Sequence, residues 1–557
     1  MTGEQRERGA SRALVVAASS MGTVFEWYDF FVFGTLASTI AHNFTAGSES
    51  AGFLFALGAF AAGFFVRPFG ALFFGHIGDR AGRKRAFLLT ISIMGAATVA
   101  MGLLPTAQQV GLLAPVLLVL TRVLQGFAMG GEYGGAAVYV AEHAEPRNRG
   151  FLTGWIQATA ALGLVLALAV VLATRLLTGE DAFQQWGWRV PFLLSAVLLG
   201  VSLWIRLGLS ESPVFERMKR AREVARAPVS EAFRGDNLRR ILTALFCILL
   251  AQGAVWYTAH FYAQFFLERV LKVEGRTVNE LLVAGVVLSA GGYVFFGWLS
   301  DRVGRKPVML AGMVLSAVAY VPAFQALTAH ANPALEAAAS RAPVTVYADP
   351  ADCHLQFDVI GRRTFDSSCD VVRRLLSDAG IPYRSVATEQ GALARVTVGA
   401  VTVASAALIG ASRAGASAER TRIRSELQNA LASAGYPPSA APAGVDTGAV
   451  LGILVLLMLA STALYGPQAA ALVELFPARI RYTALSVPYN IGTGWVGGLL
   501  PVSSFAIVAA TGNIYSGLAY PLAFTLIGIV ATVLLLPETR AKPLDELRPA
   551  AAEGIDG

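Results

Sequence analysis

The stretch GHIGDRAGRKR (residues 75–85) returns 222 residues later as GWLSDRVGRKP (residues 297–307). Each copy directly follows a long apolar run. Aligning Gly75 with Gly297 matches Asp79 to Asp301, Arg80 to Arg302, Gly82 to Gly304, Arg83 to Arg305 and Lys84 to Lys306. A charged motif that recurs at this distance predicts a chain built from two related halves.

The composition is that of a membrane protein. Of 557 residues, 55% are hydrophobic and 15% are charged, against about 25% charged residues in ordinary soluble domains. Apolar runs of about 20 residues recur along the chain, and each can cross a bilayer as a helix. The formal net charge of +7 comes largely from basic residues in short connections, which indicates membrane orientation and argues against a nucleic-acid partner.

Counting the apolar runs predicts twelve spans. They are placed at residues 13–40, 51–74, 86–105, 111–140, 151–177, 189–208, 241–267, 280–299, 308–329, 449–475, 483–510 and 517–536. Lys and Arg concentrate in alternate connections, so the positive-inside rule places these connections and both termini in the cytoplasm. The predicted domains are 1–208 (six spans), 209–240 (cytoplasmic central loop), 241–329 (spans 7–9), 330–445 (extracytoplasmic insertion), 446–540 (spans 10–12) and 541–557 (cytoplasmic tail).

The repeated motif then follows the second span of each half, on the cytoplasmic side. Repeated six-helix units are typical of secondary transporters, and an aspartate beside arginines can bind a helix end in one conformation and release it in another. The predicted gating residues are Gly75, Asp79, Arg80, Gly82, Arg83, Gly297, Asp301, Arg302, Gly304 and Arg305. The alternative interpretation is that the two motifs only set the orientation of the chain in the membrane and have no role in gating. Asp79 is expected to matter more than Asp301, because the second copy ends in Pro307 and lacks the third basic residue.

Both copies resemble the loop motif of the major facilitator superfamily. Three further stretches, FEWYDFFVFG (25–34), RVLQGFAMGGEYGGAAVYVAEHAEPRNRG (122–150) and WGWRVPFLLS (186–195), resemble its metabolite:proton symporter family. LFPARIRYTALSVPYNIG (475–492) fits the same family. The resemblance implies an all-α membrane fold of twelve helices in two six-helix halves. It also implies uptake, with protons, of a small metabolite such as shikimate, 2-oxoglutarate, citrate, proline or betaine.

Ionisable residues inside spans are costly and indicate function. Glu26 and Asp29 are three residues apart, on one face of the first span, and Glu132 lies in the fourth. Two carboxylates close together in a low-dielectric cavity are costly to ionise together, so one is a candidate proton carrier. We rank Asp29 first, Glu26 second and Glu132 third. The alternative is a structural pair neutralised by an arginine.

Polar residues in the spans are candidates for substrate binding. Arg122 fits the family's R-x-x-Q-G pattern, and it could bind a substrate carboxylate or neutralise one of the acids. The further candidates are Tyr28, Gln125, Trp256, Tyr257, His260, Tyr465, Gln468 and Asn490. His260 could also carry protons, and the alternative for it is a hydrogen-bonded structural histidine.

Residues 330–445 have a different texture. Residues 344–359 alternate like strands, and residues 367–383 have the pattern of a capped helix ending at Gly380. The apolar run 396–412 is short and alternates early, and an extra crossing would invert the later loops against their charge, so it is not counted as a span. A small α/β domain is therefore expected. Cys353 and Cys369 both lie in it, which suggests a disulfide in an exported domain; metal ligation is the alternative. The domain could shield the outer mouth, capture substrate or bind an envelope protein.

The predicted function is proton-coupled symport of a small organic acid or zwitterion across the plasma membrane. The expected partners are the metabolite, protons and the lipid bilayer. The alternative is a transporter-derived receptor that senses a ligand through the insertion. No nucleotide-binding loop, metal cluster or nucleophile elbow is found in the sequence, so neither an enzyme nor a cofactor is expected.

Overall fold

The computed structural model describes residues 20–44, 49–208, 210–356, 365–540 and 542–544. Within them, ten helices are long and apolar enough to cross a membrane: Arg83–Leu103, Leu113–His143, Arg149–Thr178, Arg189–Leu207, Gly235–Val270, Gly275–Val303, Arg305–Ala331, Thr447–Leu475, Arg481–Thr511 and Ser516–Leu535. We number these spans 3 to 12. The helical segment 20–44, with a turn at Leu36, and the helix Glu49–Ala81 occupy the places predicted for spans 1 and 2. The predicted all-α membrane fold is confirmed.

Spans 7 and 11 are not uniform α-helices. They include π-helical turns at Leu245–Leu249, Thr258–Tyr262, Phe266–Val270 and Ile491–Gly497, and a further π-helical turn at Phe183–Gly187 precedes span 6. Short helices connect the spans at Ala107–Val110, Glu180–Ala182, Pro213–Arg220, Pro228–Ala232 and Pro333–Arg341. Single 3-10 turns lie at Pro350–Asp352, Pro442–Gly444 and Ser516–Leu518.

The repeated motifs are helix ends and not the loops that the sequence predicts. Span 2 continues to Ala81 and span 3 starts at Arg83, so one residue, Gly82, joins them with φ +119°. Gly304 joins spans 8 and 9 in the same way with φ +122°. Positive φ at both junctions requires glycine. The helices extend through the charged residues because those charges are paired, as described below.

The two halves meet along two helix pairs. Span 2 packs on span 11, and span 5 packs on span 8. Glycines make these contacts close, because a Cβ at Gly75 would lie 2.7 Å from Thr483 Cα and one at Gly297 would lie 2.4 Å from the Gly150 oxygen. The repeated motif therefore lies at the seam between the halves. We call the membrane side on which it lies the loop face.

The insertion contains a four-stranded sheet in the order β2-β1-β3-β4. Its strands are β1 (Val344–Ala348), β2 (Tyr383–Ala387), β3 (Arg395–Val398) and β4 (Val401–Ala404); β1 and β2 are parallel and the other pairs antiparallel. The helix Ser368–Ala379 connects β1 to β2, with Ser367 as its N-cap and Gly380 in the left-handed conformation. The α/β insertion is thus confirmed, and the run 396–412 starts as a hairpin and does not cross the membrane.

Two features hold the loops of this insertion in place. Cys353 and Cys369 form a disulfide, with Cα atoms 5.2 Å apart, which ties the segment after β1 to the helix. Asp349 accepts hydrogen bonds from the backbone NH groups of Gly391 and Ala351, and these bonds hold the pKa of its carboxyl group below the usual range. The expected strand over 344–359 is shorter, since Pro350 starts a 3-10 turn; residues 357–359 lie outside the described residues. A second long helix, Arg413–Ser433, leads back towards span 10.

The insertion rests on the ends of spans 7 and 11. The backbone NH of Tyr383 donates to the Gly512 oxygen at 2.9 Å, and its hydroxyl donates to the Ala509 oxygen. Lys272, just after span 7, donates to the Asp378 oxygen at 2.5 Å. These contacts are all with the C-terminal half. We call this side, opposite the loop face, the insertion face.

Candidate functional site

A small cavity lies between the halves near the middle of the spans. It is lined by Thr23, Trp27, Arg67, Met129, Glu132, Tyr133, Ile156, Gln157, Ala160, Tyr465, Tyr489 and Asn490. Its volume is about 10 Å³, roughly what one water molecule needs. The spans must therefore move apart before a metabolite can occupy this position. Of the residues predicted from sequence, Glu132, Tyr465 and Asn490 line this cavity.

Tyrosines from both halves meet in this cavity. The rings of Tyr133 in span 4 and Tyr489 in span 11 stack with centroids 3.6 Å apart. Tyr465 in span 10 shares a hydrogen bond with the Tyr489 hydroxyl at 2.8 Å, and Gln468 donates to the Tyr133 hydroxyl at 3.2 Å. These contacts close the centre, and they would have to break to admit a substrate.

Two of the three predicted acids face each other beside the cavity. The carboxyl groups of Glu26 and Glu132 are close neighbours, and both side chains are buried. Arg206 in span 6 pairs with Glu26 at 2.5 Å. The Oε2 atoms of Glu26 and Glu132 find no donor in the described part of the chain. A proton held between the two carboxyl groups would satisfy both, since two ionised carboxylates repel each other.

Asp29 has a different environment on the same helix. Ser195 donates to it at 2.5 Å, and Thr98 also lies within hydrogen-bond reach. Gln125 fixes the helix here by donating to the Asp29 backbone oxygen at 2.9 Å. Among the described residues, no cation forms an ion pair with Asp29. Its carboxyl group is therefore held by neutral donors between spans 1, 3 and 6.

The counter-charge of Glu26 is not the one expected. The sequence suggests Arg122 as the nearest counter-charge, but the ion pair is with Arg206, and Arg122 donates to Gln125 and lies over the Phe33 ring at 4.1 Å. Arg206 lies at the end of span 6, so in the sequence it is one of the basic residues that indicate membrane orientation. Its guanidinium reaches Glu26 because Gly22 leaves space; a Cβ there would lie 2.5 Å from its Nη2.

Other predicted substrate residues lie outside the cavity lining. Tyr28 is buried and donates to the Pro191 oxygen at 2.7 Å. Trp256 donates to the Tyr293 hydroxyl at 3.0 Å, and His260 stacks on Trp256 with its Nδ1 2.9 Å from that residue's backbone oxygen. Tyr257 packs edge-to-face on Phe64, with centroids 6.0 Å apart.

Arg67 is the charged lining residue that sequence analysis missed. It lies in span 2 within FFVRPFG, and its side chain is buried. Its guanidinium contacts the Met129 sulfur at 2.6 Å and lies over the rings of Phe64 and Phe30 at 4.3 and 4.8 Å. The signal was present, because a lone charged residue in the middle of an apolar run indicates a functional position.

On the loop face, Asp79 binds the start of span 11. Its two carboxylate oxygens accept hydrogen bonds from the backbone NH groups of Tyr482 and Thr483, at 3.1 and 2.9 Å. These NH groups belong to the first turn of a helix and have no partner within it. Asp79 therefore joins the N-terminal half to the C-terminal half by capping one of its helices.

Buried ions surround this cap. Arg83 pairs with Asp79 at 3.1 Å and with Glu142 at 3.6 Å, and Glu142 pairs with Arg481 of the other half at 2.8 Å. All four side chains are fully buried. We call these four residues the first gate cluster.

The second motif forms the same arrangement with the halves exchanged. Asp301 accepts from the NH groups of Gly150 and Phe151, at 2.9 and 2.7 Å, and so caps the start of span 5. Its ion-pair partners form a chain that crosses the seam. Arg305 pairs with Asp301 at 2.7 Å and with Glu474 at 3.2 Å, and Glu474 pairs with Arg149 at 2.7 Å. We call Asp301, Arg305, Glu474 and Arg149 the second gate cluster.

Sequence analysis found half of these gate residues. Asp79, Arg83, Asp301 and Arg305 were predicted, whereas Glu142, Arg481, Glu474 and Arg149 were not. A second repeat could have revealed the missing four: EHAEPRNR (142–149) and ELFPARIR (474–481) both place an arginine seven residues after a glutamate. Arg80 and Arg302 are exposed and take no part in either cluster, and Arg302 lies over the Trp298 ring at 3.9 Å.

Comparison with known proteins agrees with this twofold architecture. Residues 19–338 match the family model of the Major Facilitator Superfamily. The chain belongs to this superfamily of membrane transporters, and it is a multi-pass protein of the plasma membrane. It is similar in fold to the proton:xylose symporter XylE bound to 6-bromo-6-deoxy-D-glucose, with a TM-score of 0.62, 14% identity and coverage of 97% of this chain and 98% of that one.

Three relatives narrow the class to metabolite transporters. The shikimate transporter of Escherichia coli K12 is 38% identical over 57% of this chain and 74% of its own length. The glycine betaine/proline/ectoine/pipecolic acid transporter OusA of Dickeya dadantii is 28% identical over 97% of this chain and 86% of its own length. The citrate-proton symporter of Salmonella typhi is 33% identical over 55% of this chain and 70% of its own length.

Proposed function

We propose that this transporter is a proton-coupled symporter that takes up a small organic acid or zwitterionic metabolite by alternating access. The observation that carries the proposal is the contact between the buried carboxyl groups of Glu26 and Glu132 beside the central cavity. One cation, Arg206, pairs with this couple. The second carboxyl group is therefore the one that can take up the coupled proton, and Glu132 lines the cavity through which a proton and a substrate would pass.

The two gate clusters support alternating access. Each cluster ties the two halves together on the loop face by an ion pair across the seam, Glu142 with Arg481 and Glu474 with Arg149. Breaking both clusters together would let the halves rock apart on that face, and the centre would open to it. Re-forming them would close it again.

The orientation follows from charge. The positive-inside rule places the loop face and both termini in the cytoplasm and the insertion outside. A disulfide in the insertion fits an oxidising compartment. An envelope protein as partner of residues 330–445 stays a prediction, and the receptor alternative has no observation in its favour.

The experiment is gradient-driven uptake into proteoliposomes that contain the purified full-length chain. The probes are shikimate, citrate, proline and glycine betaine, the substrates that the relatives' names supply. An inward proton gradient should drive accumulation of at least one probe above its external concentration, and a protonophore should collapse that accumulation. Equilibration without accumulation, unaffected by the protonophore, would contradict proton coupling.

A further inference from the structure

The buried arginines fall into different classes by their partners. Seven arginine side chains are buried in the described part of the chain: Arg67, Arg83, Arg122, Arg149, Arg206, Arg305 and Arg481. Five of them form ion pairs with Asp or Glu at 2.5–3.6 Å. Arg67 differs from these five, because its contacts are with neutral groups, and it alone of the seven lines the central cavity.

Arg67 forms no ion pair with a carboxylate among the described residues. Its surroundings consist of the Met129 sulfur, the rings of Phe30 and Phe64, and the Tyr257 hydroxyl. Its Nε has no acceptor in the described residues. Burying an unpaired guanidinium is costly unless something compensates for it. Aromatic faces offset part of that cost, yet they leave the planar donor edge of the guanidinium without an anion.

We infer that Arg67 binds the anionic group of the substrate. Its guanidinium holds a carboxylate, and the rest of the molecule lies against Tyr133, Tyr489 and Trp27. The inference rests on the proposed function and names a residue that binds the substrate. A guanidinium presents parallel N–H donors that match a carboxylate. The neighbouring tyrosine rings offer apolar faces and hydroxyl groups for the remainder.

The position of Arg67 also ties substrate binding to the proton. Glu132 is faced by Glu26 from span 1, Arg67 from span 2, Arg206 from span 6 and Tyr482 from span 11. Arg206 is already paired with Glu26. An anion on Arg67 removes the positive field that favours the ionised form of Glu132, and so Glu132 takes up a proton when the substrate binds. One carboxylate then enters together with one proton.

The first test is binding to the purified full-length chain in detergent, measured by calorimetry. Shikimate, proline and glycine betaine are each compared with an analogue that lacks the carboxylate: methyl shikimate, prolinamide and choline. At least one acid should bind and its analogue should not. Arg67→Gln should weaken that Kd by about 10- to 100-fold, the range for a hydrogen bond to a charged group.

Two further variants keep the test decisive. Arg67→Lys keeps the positive charge but loses the parallel N–H donors of the guanidinium, so its Kd for the acid should lie between those of wild type and Arg67→Gln. It replaces Arg67→Gln in the test if that variant does not fold. Arg189→Gln is the matched control, because Arg189 donates to the Gly102 and Leu104 oxygens away from the cavity; its Kd should equal that of wild type. An unchanged Kd in both Arg67 variants, equal binding of the analogues, or binding of none of the acids would overturn the inference.

The second readout is proton uptake on binding, followed with a pH indicator in weak buffer. Wild type should take up about one proton per bound acid, and Glu132→Gln should take up none. Failure here is distinguishable from failure of the proposed function. Gradient-driven accumulation by wild type, together with an unchanged Kd in the Arg67 variants, overturns only the role of Arg67.

Discussion

The acids at the loop face and the acids at the centre are equally buried but differently partnered. At the loop face, each gate cluster contains two carboxylates and two arginines, and every carboxylate accepts from at least one of them. At the centre, Glu26 has Arg206, while Asp29 has neutral donors and Glu132 has an acid as its neighbour. Every carboxylate in the gate clusters thus has an arginine as its ion-pair partner, whereas Asp29 and Glu132 at the centre form no ion pair among the described residues.

This difference indicates two different roles, gating at the loop face and binding of proton and substrate at the centre. A saturated cluster has one low-energy arrangement and releases only when the halves separate together, so it suits a lock. Beside the cavity, Glu132 and Arg67 each lack an ion-pair partner in the described part of the chain. We expect a proton to bind to Glu132 and the anionic group of the substrate to bind to Arg67. The comparison predicts that gate variants change rates and stability, whereas central variants change coupling and binding.

The largest effect is expected from removing the charge at the centre of a gate. Glu142→Gln leaves Arg481 without a counter-ion and Arg83 with Asp79 alone. Glu474→Gln likewise leaves Arg149 without a counter-ion and Arg305 with Asp301 alone. Breaking a buried pair costs about 3–5 kcal/mol, so both variants should unfold at a lower temperature and transport slowly. Thermal unfolding in detergent and initial uptake rates measure this.

Its control is an exposed ion pair on the other membrane side. Arg175 and Glu180 lie 3.2 Å apart; Arg175 is half-buried and Glu180 is exposed, so Glu180→Gln should change stability by about 1 kcal/mol or less. Equal unfolding temperatures for Glu142→Gln, Glu474→Gln and Glu180→Gln would show that the gate clusters do not hold the halves together.

The next effect concerns the two aspartates. Asp79→Asn and Asp301→Asn each lose an ion pair and one of two backbone hydrogen bonds, so the transport rate should fall while the Kd for substrate stays within about twofold. The sequence predicts the weaker effect at Asp301. The structure gives both aspartates the same set of partners, and it favours equal effects. Uptake unchanged in both variants, at normal expression, would reduce the motifs to topology signals.

A smaller effect should come from the seam glycines. Gly75→Ala and Gly297→Ala would place a Cβ within 2.7 Å of the opposite helix, which prevents full closure of the loop face. Gly291→Ala is the matched control in span 8, because its Cβ would meet nothing within 4 Å. A reporter cysteine at the seam should label faster in the first two variants than in the control. Equal labelling in all three would exclude this packing as the reason for glycine.

The smallest effect on transport is expected in the insertion. Closing a loop of about 15 residues with the Cys353–Cys369 disulfide stabilises the domain by roughly 3 kcal/mol in the chain-entropy model. Thiol labelling of denatured, non-reduced protein should modify Cys247 alone. If all three cysteines are labelled in cell-envelope material, the disulfide does not form there.

Much of the fold could be predicted, because hydropathy and the positive-inside rule act on long stretches. The spans, the α/β insertion and the helix capped by Ser367 and Gly380 follow from local patterns. The sequence predicts loops at the joints of Gly82 and Gly304, because charged residues usually end a span. In the structure the charged residues are paired in the gate clusters and stay helical.

The candidate site was harder to predict because it is assembled from distant segments. Glu26 and Asp29 share a helix face, yet their partners Arg206 and Ser195 are 180 and 166 residues away. Arg206 reads as an orientation charge at a span end, and Arg67 is hidden within an apolar run. Spacing within one helix can be read from a sequence, whereas pairing between helices depends on packing.

The most direct test of the central claim is proton-driven accumulation by the three acid variants. Asp29→Asn, Glu26→Gln and Glu132→Gln are reconstituted, and each is assayed for uphill uptake under an imposed pH gradient and for substrate exchange without one. Because we propose that the coupled proton binds at the Glu26–Glu132 pair, Glu132→Gln should lose accumulation and keep exchange, which needs no net proton movement. Full gradient-driven accumulation in all three variants would contradict the account.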